Sequence, residues 1–424
     1  MNSDQDQALA RVPVALREQA RQVLQWLLPE DVPVEDLSAN DVLQFVWYTL
    51  PVKWGLELGD ATEATAALLD AVGRPRVAGL IRAPRTADIQ AGWSSDRRAA
   101  FQLFSRATAD SGYDPPDTDL LAWGSVMGID EAGLRSALAR VLEHAVDTGV
   151  YLPGRSGWRY TQANLVEAWL GTPAIVHAGR TPLEVIHAER REAWLRGLGP
   201  AVRKLVEPLA AAPPEPVPAD PAGPLRWLLE RVGDGLDLTQ AGYLPTAVVG
   251  EAKHWYEDWL LPGFATRSES DLPPLLILRE FAQTRKLLTK RRRRLSVSAT
   301  GRAALADPDR WWSTVVEGWF AGTEISGYVA EIAAPMMLHG ASDSDIKALA
   351  VETVAPRFRH RDGSPADERD IDHALWEWIR PGNSLGFIAY GRGLDGRRTL
   401  TDTGRAAARE GLRRRAQAPR TTPG

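Results

Sequence analysis

Apolar residues recur at helical spacing along most of the chain. Between Val14 and Leu28 they fall at Leu16, Ala20, Val23, Leu24 and Leu27, and Pro29 ends the run. Ser38–Leu50 starts at a residue suited to capping and places Val42, Phe45, Val46 and Thr49 on one side. Thr62–Val72 and Asp96–Asp110 have the same spacing, and Trp26, Trp47, Trp54 and Trp93 lie on or beside these segments. Residues 1–116 are therefore expected to form a helical bundle.

From Asp117 the pattern changes to helices that alternate with short β-rich runs. Asp130–Asp147 is amphipathic through Leu134, Leu138, Val141, Leu142, Ala145 and Val146, and Gly149 is placed to stop it. Val150–Thr161 reads as a hairpin around Pro-Gly-Arg-Ser-Gly, followed by a helix over Gln162–Leu170. A second round has helices at Leu225–Val232 and Pro245–Leu260 and a short strand at Leu236–Leu238. A further helix follows Asp271 and accepts Pro273 in its first turn. Leu287–Ser298 then gives two strand ends around a basic turn, with helix from Gly301 to Phe320. A third round has helices at Glu324–Leu338, Ser342–Val354 and Ala366–Ile379. Leu385–Thr401 is its hairpin, turning at Leu394-Asp395-Gly396, and Asp402–Arg415 is the closing helix.

Two hairpin exits nearly coincide. Val297-Ser298-Ala299-Thr300-Gly301-Arg302-Ala303-Ala304 and Leu400-Thr401-Asp402-Thr403-Gly404-Arg405-Ala406-Ala407 both run from an apolar strand residue through a hydroxyl to Thr-Gly-Arg-Ala-Ala. The hydroxyl is expected to end the strand and cap the helix. Tyr160-Thr161-Gln162 keeps only that outline. The expected organisation is thus mainly α, a helical bundle plus three units with small β-hairpins. The units are 117–209, 225–320 and 321–415, with a Pro-rich linker at 210–224 and a flexible tail at 416–424.

Helix, short strand, helix, helix and two-stranded wing is the order of a winged helix. The exit Leu295–Leu305 resembles the Leu-Thr-x-x-Gly-Arg wing ending of bacterial winged-helix regulators. Residues 225–316, through Leu238–Pro245 and Asp271–Pro274, also resemble a C-terminal helical module of uncharacterised bacterial plasmid open-reading-frame-three-like proteins. The winged-helix resemblance implies that the helix before the wing enters the major groove and the wing touches phosphate. That assigns nucleic-acid contact to Arg279, Gln283 and Lys286 as one polar stripe, and to Lys290, Arg291, Arg292, Arg293 and Arg294 at the wing. Arg397 and Arg398, with Arg392, would act on the last hairpin.

Charge supports a division of labour. Residues 1–224 hold 29 Asp/Glu against 21 Lys/Arg, while residues 357–424 hold 14 Lys/Arg against 9 Asp/Glu. The basic back half is expected to contact DNA or RNA. The acidic front suits a protein partner, and a protein-interaction scaffold using the same units is the alternative for the whole chain.

Chemistry is less forthcoming. There is no cysteine, P-loop, G-x-G-x-x-G, G-x-S-x-G or H-E-x-x-H. The densest ligand-type group is His360, Asp362, Asp367, Glu368, Asp370, Asp372 and His373, which also reads as the acidic start of a helix. No enzyme activity, cofactor or metal is expected. With no apolar run of membrane length and no leader-like start, the expected setting is the cytoplasm, without a membrane partner.

Overall fold

In a computed structural model the described residues are 3–28, 32–54, 58–257, 266–322, 324–390 and 397–420. The protein is mainly helical, with five short strands in two small antiparallel sheets among these residues. None of its described helices is long and apolar enough to cross a membrane. The chain forms two compact units, Met1–Arg190 with Pro419–Gly424, and Arg191–Ala418.

The first unit is helical throughout. Ser38 caps the Ala39–Gln44 helix by accepting the Asp41 N–H, and Asp96 caps Arg97–Ser111 in the same way. The chain passes from Ala39–Gln44 through a π-helical turn at Phe45–Thr49, which buries Trp47. The Trp47 indole donates to Thr86 Oγ1 at 2.9 Å, and the Trp93 indole donates to the Trp47 carbonyl at 2.8 Å. The tryptophans that periodicity placed beside helices thus include two that bond across them.

The hairpin expected at Val150–Thr161 does not form. Gly149, with φ 77°, ends the Ile129–Asp147 helix, and the chain then makes two successive tight turns, closed by Arg155 N–H to Leu152 O and Trp158 N–H to Arg155 O. With its turn residues split between two turns, the segment has no paired arms. It buries Tyr151, whose hydroxyl bonds the Gly112 carbonyl, and enters the Trp158–Leu170 helix. The first of the three expected hairpin units is therefore helix–turn–helix. Of the expected tail, residues 416–420 are described, and there the Arg420 carbonyl accepts the Val126 N–H at 3.1 Å; residues 421–424 lie outside the described residues.

The second unit contains both hairpins. Its first module runs through the Gly223–Val232 helix, strand β1 (Leu236–Asp237), and the Thr246–Ala252 and Pro273–Thr284 helices. Strands β2 (Leu288–Arg291) and β3 (Arg294–Val297) and the Ala299–Ala306 helix complete it. The strands lie in the order β1-β3-β2, all antiparallel, with Leu288 opposite Val297 and Arg291 opposite Arg294. The single helix expected over Gly301–Phe320 is broken at Asp307, which caps a new helix, Pro308–Phe320. The second module has helices Glu324–Leu338, Asp343–Thr353 and Glu368–Ser384. Strands β4 (Ile388–Tyr390) and β5 (Arg398–Leu400) and the Asp402–Gln417 helix follow.

The two hairpins are entered and left by the same hydrogen bonds. Lys286 N–H donates to Gln283 O and Leu287 N–H to Ala282 O; Gly386 N–H donates to Asn383 O and Phe387 N–H to Gly382 O. At the exits Ser298 N–H returns to Leu287 O and Thr401 N–H to Phe387 O. The Ser298 and Thr401 hydroxyls cap the next helices through Gly301 N–H at 2.9 Å and Gly404 N–H at 3.0 Å. Glycine is required there, since a Cβ on Gly404 would sit 1.9 Å from the Phe387 carbonyl oxygen and one on Gly301 2.4 Å from that of Leu287.

One apolar core runs through both modules. The Pro273–Thr284 and Glu368–Ser384 helices pack against each other. Trp319 stacks on Trp378 with centroids 4.6 Å apart and donates its indole N–H to the Trp378 carbonyl. The Tyr256 hydroxyl reaches the Ser384 carbonyl at 2.8 Å. The Pro-rich segment, expected as an interdomain linker, lies inside this unit. The Trp311 indole bonds the Pro221 carbonyl at 2.7 Å, and Glu215 pairs with Arg409 at 2.6 Å.

Candidate nucleic-acid interface

The expected interface has two parts, a helix stripe and a wing, and the structure separates them. In the Pro273–Thr284 helix Arg279 faces inward. It is 7 % exposed, its Nε lies 2.6 Å from Glu269 Oε1, and its Nη1 donates to the Gly242 carbonyl. Glu269 in turn accepts the Leu244 N–H. Arg279 is thus a buried partner that ties the helix to the segment before it, and its assignment to nucleic acid is corrected. Gln283 is half-buried, and the exposed positions of the same helix are Pro273, Glu280 and Thr284. With its other side against the Glu368–Ser384 helix, this helix offers no basic face.

The wing is different. Lys290, Arg291, Arg292 and Arg293 are all exposed, and among the described residues none has an ion-pair or hydrogen-bond partner on its side chain. Lys286, at the foot of the wing, is exposed too. Arg294 is exposed but lies 3.6 Å from Asp237, so part of its charge is answered within the sheet. Strand alternation puts Thr289 and Ser296 on the same outer face as Arg291, with their hydroxyl oxygens 3.2 Å apart. The contacts expected from the sequence include the cations but not these two donors, which the alternation of Leu288, Leu295 and Val297 would have placed outward. The loop at Thr239–Gly242 completes the surface: Leu238 N–H bonds the Arg293 carbonyl, and Gly242 lies beside the Lys290 ammonium.

The β2–β3 hairpin and its foot hold three local arrangements that cost stability. Arg292 sits at φ 55° in the two-residue turn Arg292–Arg293, a position that usually takes Gly, Asn or Asp. Lys286 sits at φ 56° where the second module has Gly386. Arg291 lies directly opposite Arg294, two like charges in register.

The basic residues of the last module are largely engaged. Arg398 pairs with Asp343 at 2.6 Å and lies over the Trp376 and Tyr390 rings, so it fastens the hairpin to neighbouring helices and is corrected from a ligand contact to a packing residue. Arg397 remains exposed. Arg392 and the Leu394–Gly396 turn lie outside the described residues. Arg413, Arg414 and Arg415 pair with Glu410, Glu317 and Glu331.

The His360–His373 group is used in capping and ion pairs. Asp367 and Asp370 form a capping box, and the Asp367 N–H together with His360 holds the Asp370 carboxyl below its ordinary range. Ser364 does the same for Asp362. Lys347 bridges Glu368 and Asp372, and His373 pairs with Glu377. These groups do not converge on a common point among the described residues.

A cluster of unpaired guanidinium groups and an ammonium, flanked by two hydroxyls, can bind a chain of phosphates through charge-assisted hydrogen bonds. No family model, curated protein or solved structure matches the chain.

Proposed function

We propose that this is a binding protein whose second unit carries two winged-helix modules in tandem, and that the wing of the first grips the phosphate backbone of a nucleic acid without reading its sequence. The winged-helix reading is supported by the succession of helix, β1, two helices, β2 and β3, and by the β1-β3-β2 sheet order. The second module follows the same plan without a counterpart of β1 among its described residues.

The observation that carries the functional reading is the concentration of three unfavourable choices in one hairpin, two at its tip and one at its foot. Positive φ at Arg292 and at Lys286 and the facing Arg291–Arg294 pair each cost stability, and each would be relieved by glycine or a neutral residue. Cations kept at such positions are explained by a ligand that answers their charge. Sequence-independence follows from the helix before the wing, which has no free basic face to present to base edges.

The test is fluorescence anisotropy with a labelled DNA duplex across a salt series. Each lost phosphate contact lowers the slope of log K against log salt by about 0.9. The Arg291→Ala/Arg292→Ala/Arg293→Ala variant is expected to lose about two to three units of slope and to bind unrelated duplexes equally weakly. Unchanged affinity at low salt would overturn the proposal.

A second reading, protein docking by the first unit, is favoured by one turn. Ile175 and Val176 are 98 % and 86 % exposed at the tip of a loop closed by Ala174 N–H to Arg180 O and Gly179 N–H to Ala174 O. Its mark would be a stable complex, resistant to nuclease, that Ile175→Ser/Val176→Ser dissolves.

A further inference from the structure

The Pro-rich segment is the one sequence feature that neither the core nor the wing accounts for. Between the Pro200–Ala211 and Gly223–Val232 helices the chain reads Ala212-Pro213-Pro214-Glu215-Pro216-Val217-Pro218-Ala219-Asp220-Pro221. Ala212 has φ −66° and ψ 145°, the polyproline II conformation, and Pro213–Pro218 continue without helix or strand. The segment is fixed to its own unit at three points. The Glu215 carboxylate meets Arg409, Val217 packs on the core, and the Pro221 carbonyl accepts the Trp311 indole N–H.

Polyproline II repeats every three residues, so within Pro213–Pro218 the residues Pro213 and Pro216 share one edge. Both are exposed, whereas Pro218, on the edge with Glu215, and Val217, on the third edge, are half-buried. Anchors on the other two edges therefore leave a Pro-x-x-Pro pair presented on this one. Much of the ordering entropy that a free peptide loses on binding has been removed in advance.

We propose that Pro213–Ala219 is a built-in ligand for a polyproline-reading domain of a protein partner, one with an aromatic-lined groove. Glu215 and Asp220 flank the proline edge, each already paired with a cation of its own unit, Arg409 at 2.6 Å and Arg226 at 3.8 Å, so recognition rests on the proline edge and not on charge.

The test is isothermal titration of the full chain with purified SH3, WW and EVH1 domains. At least one is expected to bind. Pro213→Ala/Pro216→Ala is expected to weaken it roughly tenfold, with circular dichroism unchanged because both prolines are exposed. A synthetic Ala211–Asp220 peptide is expected to compete with the full chain for the groove, which keeps the test independent of the variant's folding. The wing variant at Arg291–Arg293 is expected to bind the domain as the unaltered chain does, so failure here is separable from failure of nucleic-acid binding. Binding by none of the domains, or equal binding by the proline variant, would overturn the proposal.

Discussion

Lys286 and Gly386 hold the same place in two hairpins. Each has a left-handed backbone, at φ 56° and 77°, and each offers its carbonyl to the hydroxyl, Ser298 or Thr401, that caps the helix beyond. One module uses the residue that fits this conformation without cost, and the other uses a lysine at the foot of a cationic hairpin.

Lys286→Gly is therefore expected to stabilise the protein and weaken its ligand. The left-handed conformation costs a non-glycine residue about 1–2 kcal/mol, and glycine returns roughly 0.5–1 kcal/mol through the freedom of its unfolded chain. The net gain is about 0.5–1 kcal/mol, readable as a raised Tm, together with lower duplex affinity at low salt. A variant that loses stability would show that the lysine side chain has packing value instead.

Arg279 should behave as a structural residue. Arg279→Met leaves the Glu269 carboxylate buried without its cation, and breaking such a pair costs about 3–5 kcal/mol. Urea unfolding measures this directly. For protein that remains folded, the salt slope of duplex binding should stay as it is in the unaltered chain.

The two close approaches at the hairpin exits give a graded prediction. Gly404→Ala and Gly301→Ala each push a methyl into a carbonyl oxygen, at 1.9 and 2.4 Å. Both should destabilise by roughly 1–3 kcal/mol, as overpacking does, with Gly404→Ala the worse of the two. Equal or absent Tm losses would mean that the strand-to-helix step is looser than its hydrogen bonds indicate.

Acid should act on the second unit through its capping carboxylates. Asp271, Asp345 and Asp370 all titrate below the ordinary aspartate value. Backbone N–H groups lead for Asp271 and Asp370, and the Ser342 hydroxyl leads for Asp345. A depressed folded pKa adds stability that is fully present above the unfolded value of about 3.9 and is lost as pH falls through the folded one. Stability from these groups should be level from neutrality down to about pH 5 and then decline. Asp345→Asn should flatten that acid limb in a pH series of urea midpoints.

What the sequence made legible follows from which signals are local. The Thr-Gly-Arg-Ala-Ala motif fixed the hairpin exits because cap, tight turn and glycine approach are decided within a few residues. Val150–Thr161 carried the same local chemistry, yet two consecutive turns and the burial of Tyr151 removed its arms. At Arg279 the spacing with Gln283 and Lys286 identified a stripe but not the direction it faces. That was settled by Glu269, ten residues upstream in a separate turn. Arg398 was misread for the same reason, since Asp343 is 55 residues away. The basic wing was legible because a run of five cations at a two-residue turn has few places to hide.

The pairing of the Pro273–Thr284 and Glu368–Ser384 helices has a consequence for how the second unit responds to dilution. Two separate chains joined through such helices would come apart as their concentration fell. Here both halves belong to one polypeptide, so their association is first-order and the arrangement of the two hairpins persists at nanomolar protein as at millimolar.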